Sequence, residues 1–170
     1  MFITTAGKAY WVKVHEIPEG SKIGRGSHIK SLLKVSANED ITTTVALKDF
    51  REDEFLFIAT ANGVVKKTPT SEFRNAKDRG TTAVRLDDGD TLVSSILTSG
   101  SDEILLVSRR GQALRIGEND VRPMGKTSRG VAGIKLASGD ELASAIRIQK
   151  EEDARILVVT EKGIGKRVDP

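Results

Sequence analysis

Between Ile104 and Leu136 the chain reads ILLVSRRGQALRIGENDVRPMGKTSRGVAGIKL, and this passage recurs elsewhere in recognisable form. It parses as an apolar strand (Ile104 to Val107), a tight turn at Arg110-Gly111 and a return strand (Gln112 to Ile116). A basic, glycine-punctuated segment (Arg122 to Gly130) and a short strand ending at Leu136 complete it. Leu56 to Leu86, LFIATANGVVKKTPTSEFRNAKDRGTTAVRL, has the same parts in the same order. Phe2 to Leu33 is a third copy, entered within its first strand, and Arg155 to Pro170 (RILVVTEKGIGKRVDP) is the beginning of a fourth. The turn glycines Gly7, Gly63, Gly111 and Gly163 fall roughly 50 residues apart, a period typical of propellers and arrays. Repeats are therefore expected over residues 1–54, 55–103, 104–153 and, in part, 154–170.

Each complete copy offers about four strands and no convincing helix. Phe2-Ile3-Thr4-Thr5 turns at Ala6-Gly7 into Tyr10 to Val14, where alternation predicts Tyr10, Val12 and Val14 on one face and Trp11 and Lys13 on the other. Asn62-Gly63 is the preferred two-residue hairpin turn. Ile41 to Leu47 is dense in β-branched residues, as strands are. Thr70 to Phe73 and Glu118 to Val121 are long enough for one helical turn each. The expectation is an all-β chain of four-stranded, propeller-like blades, about three blades and part of another. An open arc of this kind leaves unpaired strand edges, which favour association. A chain that begins inside one copy and ends inside another reads as part of a larger array.

The composition excludes several classes of chemistry. There is no cysteine among the 170 residues, which removes disulfide scaffolds and thiolate metal sites and fits a reducing cytoplasm. No apolar run approaches the ~20 residues of a membrane-spanning helix, so neither membrane nor metal partner is expected. There is no histidine pair, no nucleophile elbow and no Walker-type loop. His15 and His28 have no counterparts in the other copies, which fits surface or packing roles, and Trp11 is assigned to packing. No repeat position supplies a converging polar cluster, so no catalytic residue is assigned.

Charge is informative through its distribution. Lys and Arg number 27 against 24 acids, a formal charge of only +3. Yet the basic residues gather in the glycine-punctuated segments: Lys22, Arg25 and Lys30 in the first copy, Arg74, Lys77, Arg79 and Arg85 in the second, and Arg122, Lys126, Arg129 and Lys135 in the third. The acids collect in other turns, such as Asp49 to Glu54, Asp87 to Asp90 and Glu151 to Asp153. A solvated mixed-charge surface does not require the same polarity in every copy. Lysine and arginine neutralise phosphates and release counterions without reading sequence. Gly26, Gly80 and Gly130 follow Arg25, Arg79 and Arg129 at matching positions; a small residue there lets the backbone approach a phosphate strand and also permits a turn between strands, and both can hold at once. All of these residues are candidate DNA contacts.

The passages FIATANGVVKKT, AVRLDDGDTL, SRRGQALRI, VRPMGKTSRGVAGIKL and EKGIGKR together resemble the C-terminal domain family of the DNA gyrase A protein and of its relative in topoisomerase IV, over essentially the whole chain. The resemblance implies a β-pinwheel, a propeller-like disc whose blades exchange strands, with duplex DNA wrapped around its rim. It implies a non-enzymatic module of an ATP-dependent type II topoisomerase in the bacterial cytoplasm, associated with the nucleoid and supporting negative supercoiling. Its partners would be the remainder of the gyrase A protein and the ATPase protein, gyrase B, with ATP and magnesium bound elsewhere and no cofactor here. The gyrase-defining box, a glutamine, two arginines, two glycines, a further residue and a glycine, is absent as such; the Arg-Gly segments resemble degenerate versions of it. A propeller serving as a protein-interaction platform with a basic rim is the alternative from another class.

Overall fold

The computed structural model describes residues 1–36, 38–148 and 155–169. The expected boundary at 153–154 and the acidic run Glu151 to Asp153 lie outside the described residues. Within them there are strands and single 3-10 turns and no α-helix. The first repeat contributes β1 (Phe2–Thr4), β2 (Lys8–Tyr10) and β3 (Ile41–Thr44). The second contributes β4 (Phe55–Thr60), β5 (Val64–Pro69), β6 (Thr81–Thr82) and β7 (Leu92–Thr98). The third contributes β8 (Glu103–Ser108), β9 (Ala113–Gly117), β10 (Val131–Ala132) and β11 (Leu142–Ile148); β12 (Ile156–Val159) and β13 (Gly165–Val168) form the last hairpin.

The sheets do not coincide with the repeats. The first sheet has the order β3-β1-β2-β6 and the second β10-β5-β4-β7, so each takes its fourth strand from the repeat that follows. In both, the donated strand meets the return strand of the preceding hairpin in the same register: Lys8 opposite Thr82 and Ala9 opposite Thr81, Val64 opposite Ala132 and Val65 opposite Val131. The third sheet, β11-β8-β9, has no such strand on β9 among the described residues. This is the strand exchange that the pinwheel resemblance implies.

Two glycine positions make the exchange possible. The carbonyl of Gly7 accepts from the amides of Ala83 and Val84, at 2.8 and 3.1 Å, and that of Gly63 accepts from Gly133 and Ile134, at 2.9 and 3.3 Å. Gly7 and Gly63 have φ of +72° and +79°, and a Cβ on either would come within 2.7 and 2.9 Å of the carbonyls of Val84 and Ile134. Glycine tolerates both the left-handed backbone and the contact. The donated segment has its own glycine, since a Cβ on Gly80 would enter the Tyr10 ring and one on Gly130 would lie 2.5 Å from the carbonyl of Val65. The close approach read from Gly80 and Gly130 is thus to the preceding blade and not to open surface.

Alternation along β4 shows how the blades stack. Leu56 and Ile58 enter one buried cluster with Ile3, Ala9, Phe73 and Val84, while Phe57 and Ala59 enter another with Val65, Ile104, Leu106, Val121 and Ile134. A strand buried on both faces must be apolar at successive positions, which is why FLFIA is continuous. β3 and β11 both lie against β7, so these strands form a seam on one side and the exchanged strands occupy the opposite edges. β2 stops at Tyr10, earlier than expected, because its partner β1 reaches only Phe2. The next amide, that of Trp11, donates instead to the Lys77 carbonyl of the following repeat at 3.1 Å. The alternation proposed for Val12 to Val14 therefore does not occur: Val14 begins a 3-10 turn and is 83% exposed.

Polar side chains tie the exchange down. The Trp11 ring packs on Phe50, and its indole N–H donates to the carbonyls of Phe73 and Arg74 in the next repeat. At the equivalent place in the second blade, Lys67 donates to the Glu118 carbonyl at 3.0 Å, with the Glu118 carboxylate 3.9 Å away. That carboxylate accepts from Thr98 Oγ1, Gly100 N and Asp102 N, so the buried charge is fully bonded, as burial demands. Lys66, also buried, donates from Nζ to the carbonyls of Ala83 and Lys126, both at 2.6 Å. Desolvation lowers its pKa to about 8.

Two outcomes follow from this packing. Gly63→Ala at φ +79° and Gly111→Ala at φ +85° both carry the left-handed cost of ~1–2 kcal/mol, but only the first adds a clash, with Ile134, since nothing lies within 4 Å of a Cβ on Gly111; in urea titrations Gly63→Ala is expected to lose about 1–3 kcal/mol more than Gly111→Ala, the usual cost of overpacking. Lys66 binds its proton less tightly folded than unfolded, so stability relative to Lys66→Met should rise between pH 8 and the ordinary lysine pKa of about 10.4. Below pH 8 the difference between the two proteins should be constant, which unfolding midpoints across pH 7 to 11 will show.

Candidate nucleic-acid interface

The second and third basic segments leave their return strands, cross to the preceding blade and end as the edge strands β6 and β10 of its sheet. The second is rooted by Phe73, fully buried, and by Trp11; the third is rooted by Val121 and the Glu118 network. Between root and exchanged strand the backbone runs in short turns, a 3-10 turn at Lys77–Arg79 in the second segment and a bonded turn from Ser128 N to Gly125 O in the third. Lys77 takes a positive φ of 44°, and the Gly80 conformation at φ +72° then turns the chain into β6.

The segments are joined to one another. The amide of Arg85 donates to the Ser128 carbonyl at 3.1 Å, Lys126 Nζ reaches the Glu72 carbonyl at 3.3 Å, and Arg129 pairs with Asp87 at 2.7 Å. The first segment is fastened to the second through Lys34, whose amide donates to the Asp78 carbonyl at 3.1 Å and whose ammonium lies 3.2 Å from the Asp78 carboxylate. That contact holds the Asp78 carboxyl below its usual pKa. The second and third segments therefore make one edge, and the chain just after the first is fastened to it at Lys34.

The side chains along this edge fall into two groups. Lys22, Arg25, Lys77, Arg79, Arg85, Arg122 and Lys135 are exposed and, among the described residues, form no side-chain hydrogen bond or ion pair. Arg74 donates to the Phe50 carbonyl, Lys126 and Arg129 make the contacts just given, and Lys30 donates to the Ser36 carbonyl. Gly80 and Gly130 are taken up by the preceding blade, while nothing lies within 4 Å of a Cβ on Gly26. Counting from the turn glycines Gly63 and Gly111, Arg74 matches Arg122, and counting from Gly80 and Gly130, Arg79 matches Arg129 and Arg85 matches Lys135, so two successive blades present the same three charges. The first copy shares only Arg25 of these, and its Ser27 and His28, which correspond to the exchanged strands, form no strand.

Sequence reading did not single out Lys66 and Lys67. Their signal was the pair of lysines in a return strand flanked by apolar residues, aligned with Tyr10 and Trp11 of the first copy. A strand buried on both faces leaves neither lysine in water, so both serve to hold the edge rather than to meet a ligand. The described residues include no group of His, Cys, Asp and Glu able to hold a metal ion and no helix long and apolar enough to cross a membrane.

The chain is similar to known proteins in sequence and in fold. The family model described as "DNA gyrase C-terminal domain, beta-propeller" matches residues 1–48, 54–99, 102–149 and 154–169. The DNA gyrase A protein of Salmonella typhimurium is 46% identical over 164 residues, 96% of this chain and 18% of that protein; that of Treponema pallidum is 52% identical over 128 residues, 75% of this chain and 16% of that protein. The chain thus spans less than a fifth of the length of these relatives. Among solved structures, the C-terminal domain of DNA topoisomerase IV superposes with a TM-score of 0.89 at 30% identity, over 99% of this chain and 52% of that one. The DNA gyrase A C-terminal domain gives 0.83 at 27%, over 99% and 53%. With its exchanged strands, its stacked blades and four matched stretches covering nearly all its residues, the chain belongs to the DNA gyrase C-terminal domain family of β-propellers.

Proposed function

We propose that this chain binds duplex DNA along the edge formed by the three basic segments and bends it there, as a non-catalytic module of a type II DNA topoisomerase. The observation that carries the reading is the joining of segments 74–85 and 122–135 into one edge, to which the first segment is fastened just past its end at Lys34, with seven cations in the three segments that carry no partner of their own among the described residues. Lys22, Arg25, Lys77, Arg79, Arg85, Arg122 and Lys135 are the primary phosphate contacts. Arg74, Lys126, Arg129 and Lys30 lie on the same edge and add charge while keeping contacts that shape it. Phosphates attract all of them regardless of base sequence, and with no α-helix among the described residues to enter the major groove, sequence preference should be slight.

Bending duplex DNA costs on the order of 1–6 kcal/mol for 40–90° over 20–30 base pairs, which repeated phosphate contacts around a rigid curved edge can offset. In the whole topoisomerase, wrapping of this kind would present a DNA segment to the cleavage gate with one handedness, so that strand passage introduces negative supercoils. The remainder of the gyrase A protein and the ATPase protein, gyrase B, with its ATP and magnesium, would supply the chemistry in the bacterial cytoplasm, at the nucleoid.

Duplex binding measured from low to moderate salt should give log K against log salt a slope of roughly −5, for about six neutralised phosphates. Replacing Arg79, Arg85, Arg122 and Lys135 with alanine should flatten the slope by roughly 3–4 on any sequence, with little change in unfolding midpoint. A flat salt response of the parent, or undiminished binding by the fourfold variant, would overturn the assignment; tighter binding to an acidic polypeptide than to DNA would favour a protein-interaction platform.

A further inference from the structure

Where the second and third basic segments meet, a notch of about 180 Å³ opens among Arg85, Asp87, Asp90 and Arg129, lined as well by Thr60 and the exchanged strand β10. Its backbone is fixed on each side. The Arg85 amide donates to the Ser128 carbonyl at 3.1 Å, and Asp87 begins a turn closed by the Asp90 amide at 3.0 Å. Arg129 precedes Gly130, whose backbone packs on the Val65 carbonyl. The charges of the notch are unequally engaged. The Asp90 carboxylate is buried and accepts from the amides of Asn62 and Thr91 at 3.0 and 2.9 Å. The Asp87 carboxylate holds Nη1 of Arg129 at 2.7 Å. A guanidinium has five N–H donors, so Arg129 keeps most of its own. Arg85 keeps all of them, since among the described residues its side chain forms no hydrogen bond or ion pair. Both acids are thus engaged within the protein, while both arginines have donors to spare.

We propose that Arg85 and Arg129 seat one phosphate of the bound duplex at this junction of the second and third blades, and that Asp87 positions Arg129 for it. The inference rests on the DNA-binding reading above and gives it a defined place. Asp87 holds the long Arg129 side chain in one orientation before DNA arrives, whereas a side chain immobilised only on binding costs affinity. The phosphate takes guanidinium donors that Asp87 leaves free, in the charge-assisted pairs that arginine forms with such groups. The seat is particular to this junction. At the preceding one Lys34 takes the place of Arg85, its amide donating to the Asp78 carbonyl as that of Arg85 does to Ser128, but its ammonium is held by the Asp78 carboxylate. Arg79 forms no ion pair there among the described residues. One blade further on, Lys135 and Ala137 stand where Arg85 and Asp87 stand. A basic edge alone would treat these three junctions alike; the Asp87–Arg129 pair beside a free Arg85 occurs at one.

The sign of one substitution separates this role from the general field. Removing an acid from a DNA-binding edge ordinarily strengthens binding, because it raises the positive potential. Asp88→Asn, at an exposed residue one position along the same turn, should strengthen duplex binding or leave it unchanged. Asp87→Asn should instead weaken it by about two- to tenfold, with no change in unfolding midpoint, and should no longer weaken it in an Arg129→Ala background. Inorganic phosphate, titrated against chloride at constant ionic strength, should shift the Nε–H resonances of Arg85 and Arg129 along one binding curve and leave that of Arg79 behind. Asp87→Asn binding as tightly as Asp88→Asn, or an equal loss in the Arg129→Ala background, would overturn the positioning role. Equal shifts of Arg79, Arg85 and Arg129 would overturn the seat. A parent chain that binds no duplex yet shows the paired shifts would sink the DNA reading and uphold the phosphate seat, so the two can fail separately.

Discussion

The carbonyl of a turn glycine, accepting two amides from the next repeat, is the contact on which the rest of this structure depends. At Gly7 and at Gly63 it fastens a donated strand to the edge of the preceding blade, and nothing larger than hydrogen fits beside it. A four-stranded blade made wholly from one repeat would need only face-to-face packing with its neighbour. Here the blades share backbone hydrogen bonds as well, so the stack is held by a ladder and not by side chains alone.

The same contact decides where the charge goes. A segment that must leave its own hairpin, cross to the preceding blade and end on that blade's outer edge has to run along the outside. Its polar backbone then stays near water, as connecting segments require, and its cations remain exposed. The exceptions are instructive. Lys66 and Lys67 sit in the strand that receives the exchange, and their ammonium groups satisfy carbonyls of the crossing chain. Lysine there acts as a long donor that reaches backbone no apolar side chain could bond, at the cost of desolvation that lowers the Lys66 pKa.

Two acids, one inside the second basic segment and one in the turn after it, acquire a purpose from the same geometry. Asp78 holds Lys34 and Asp87 holds Arg129, joining consecutive segments. Exposed pairs of this sort contribute about 0–1 kcal/mol each, so they align the edge more than they stabilise the fold. They also draw Arg129, whose position in the repeat is otherwise that of the unpaired Arg79 and Arg25, into a structural contact.

The amino-acid sequence by itself determined the strands, the hairpin turns, the repeat and its polarity, because each depends on a few neighbouring residues: Asn62-Gly63 demands a tight turn, FLFIA a strand buried on both faces, and RG followed by a β-rich pair a turn into a short strand. The single helical turns at Thr70 and Glu118 were legible for the same reason. Residue patterning alone left open which sheet each short strand joins, since Thr81-Thr82 and Val131-Ala132 would serve equally well in their own blade; strand exchange entered only through family resemblance. It likewise could not tell a glycine kept for an approach to DNA from one kept for the neighbouring blade, nor a buried lysine from an exposed one. Those were decided by the tertiary structure, because pairing partners and burial arise only when residues about 70 positions apart are brought to one edge.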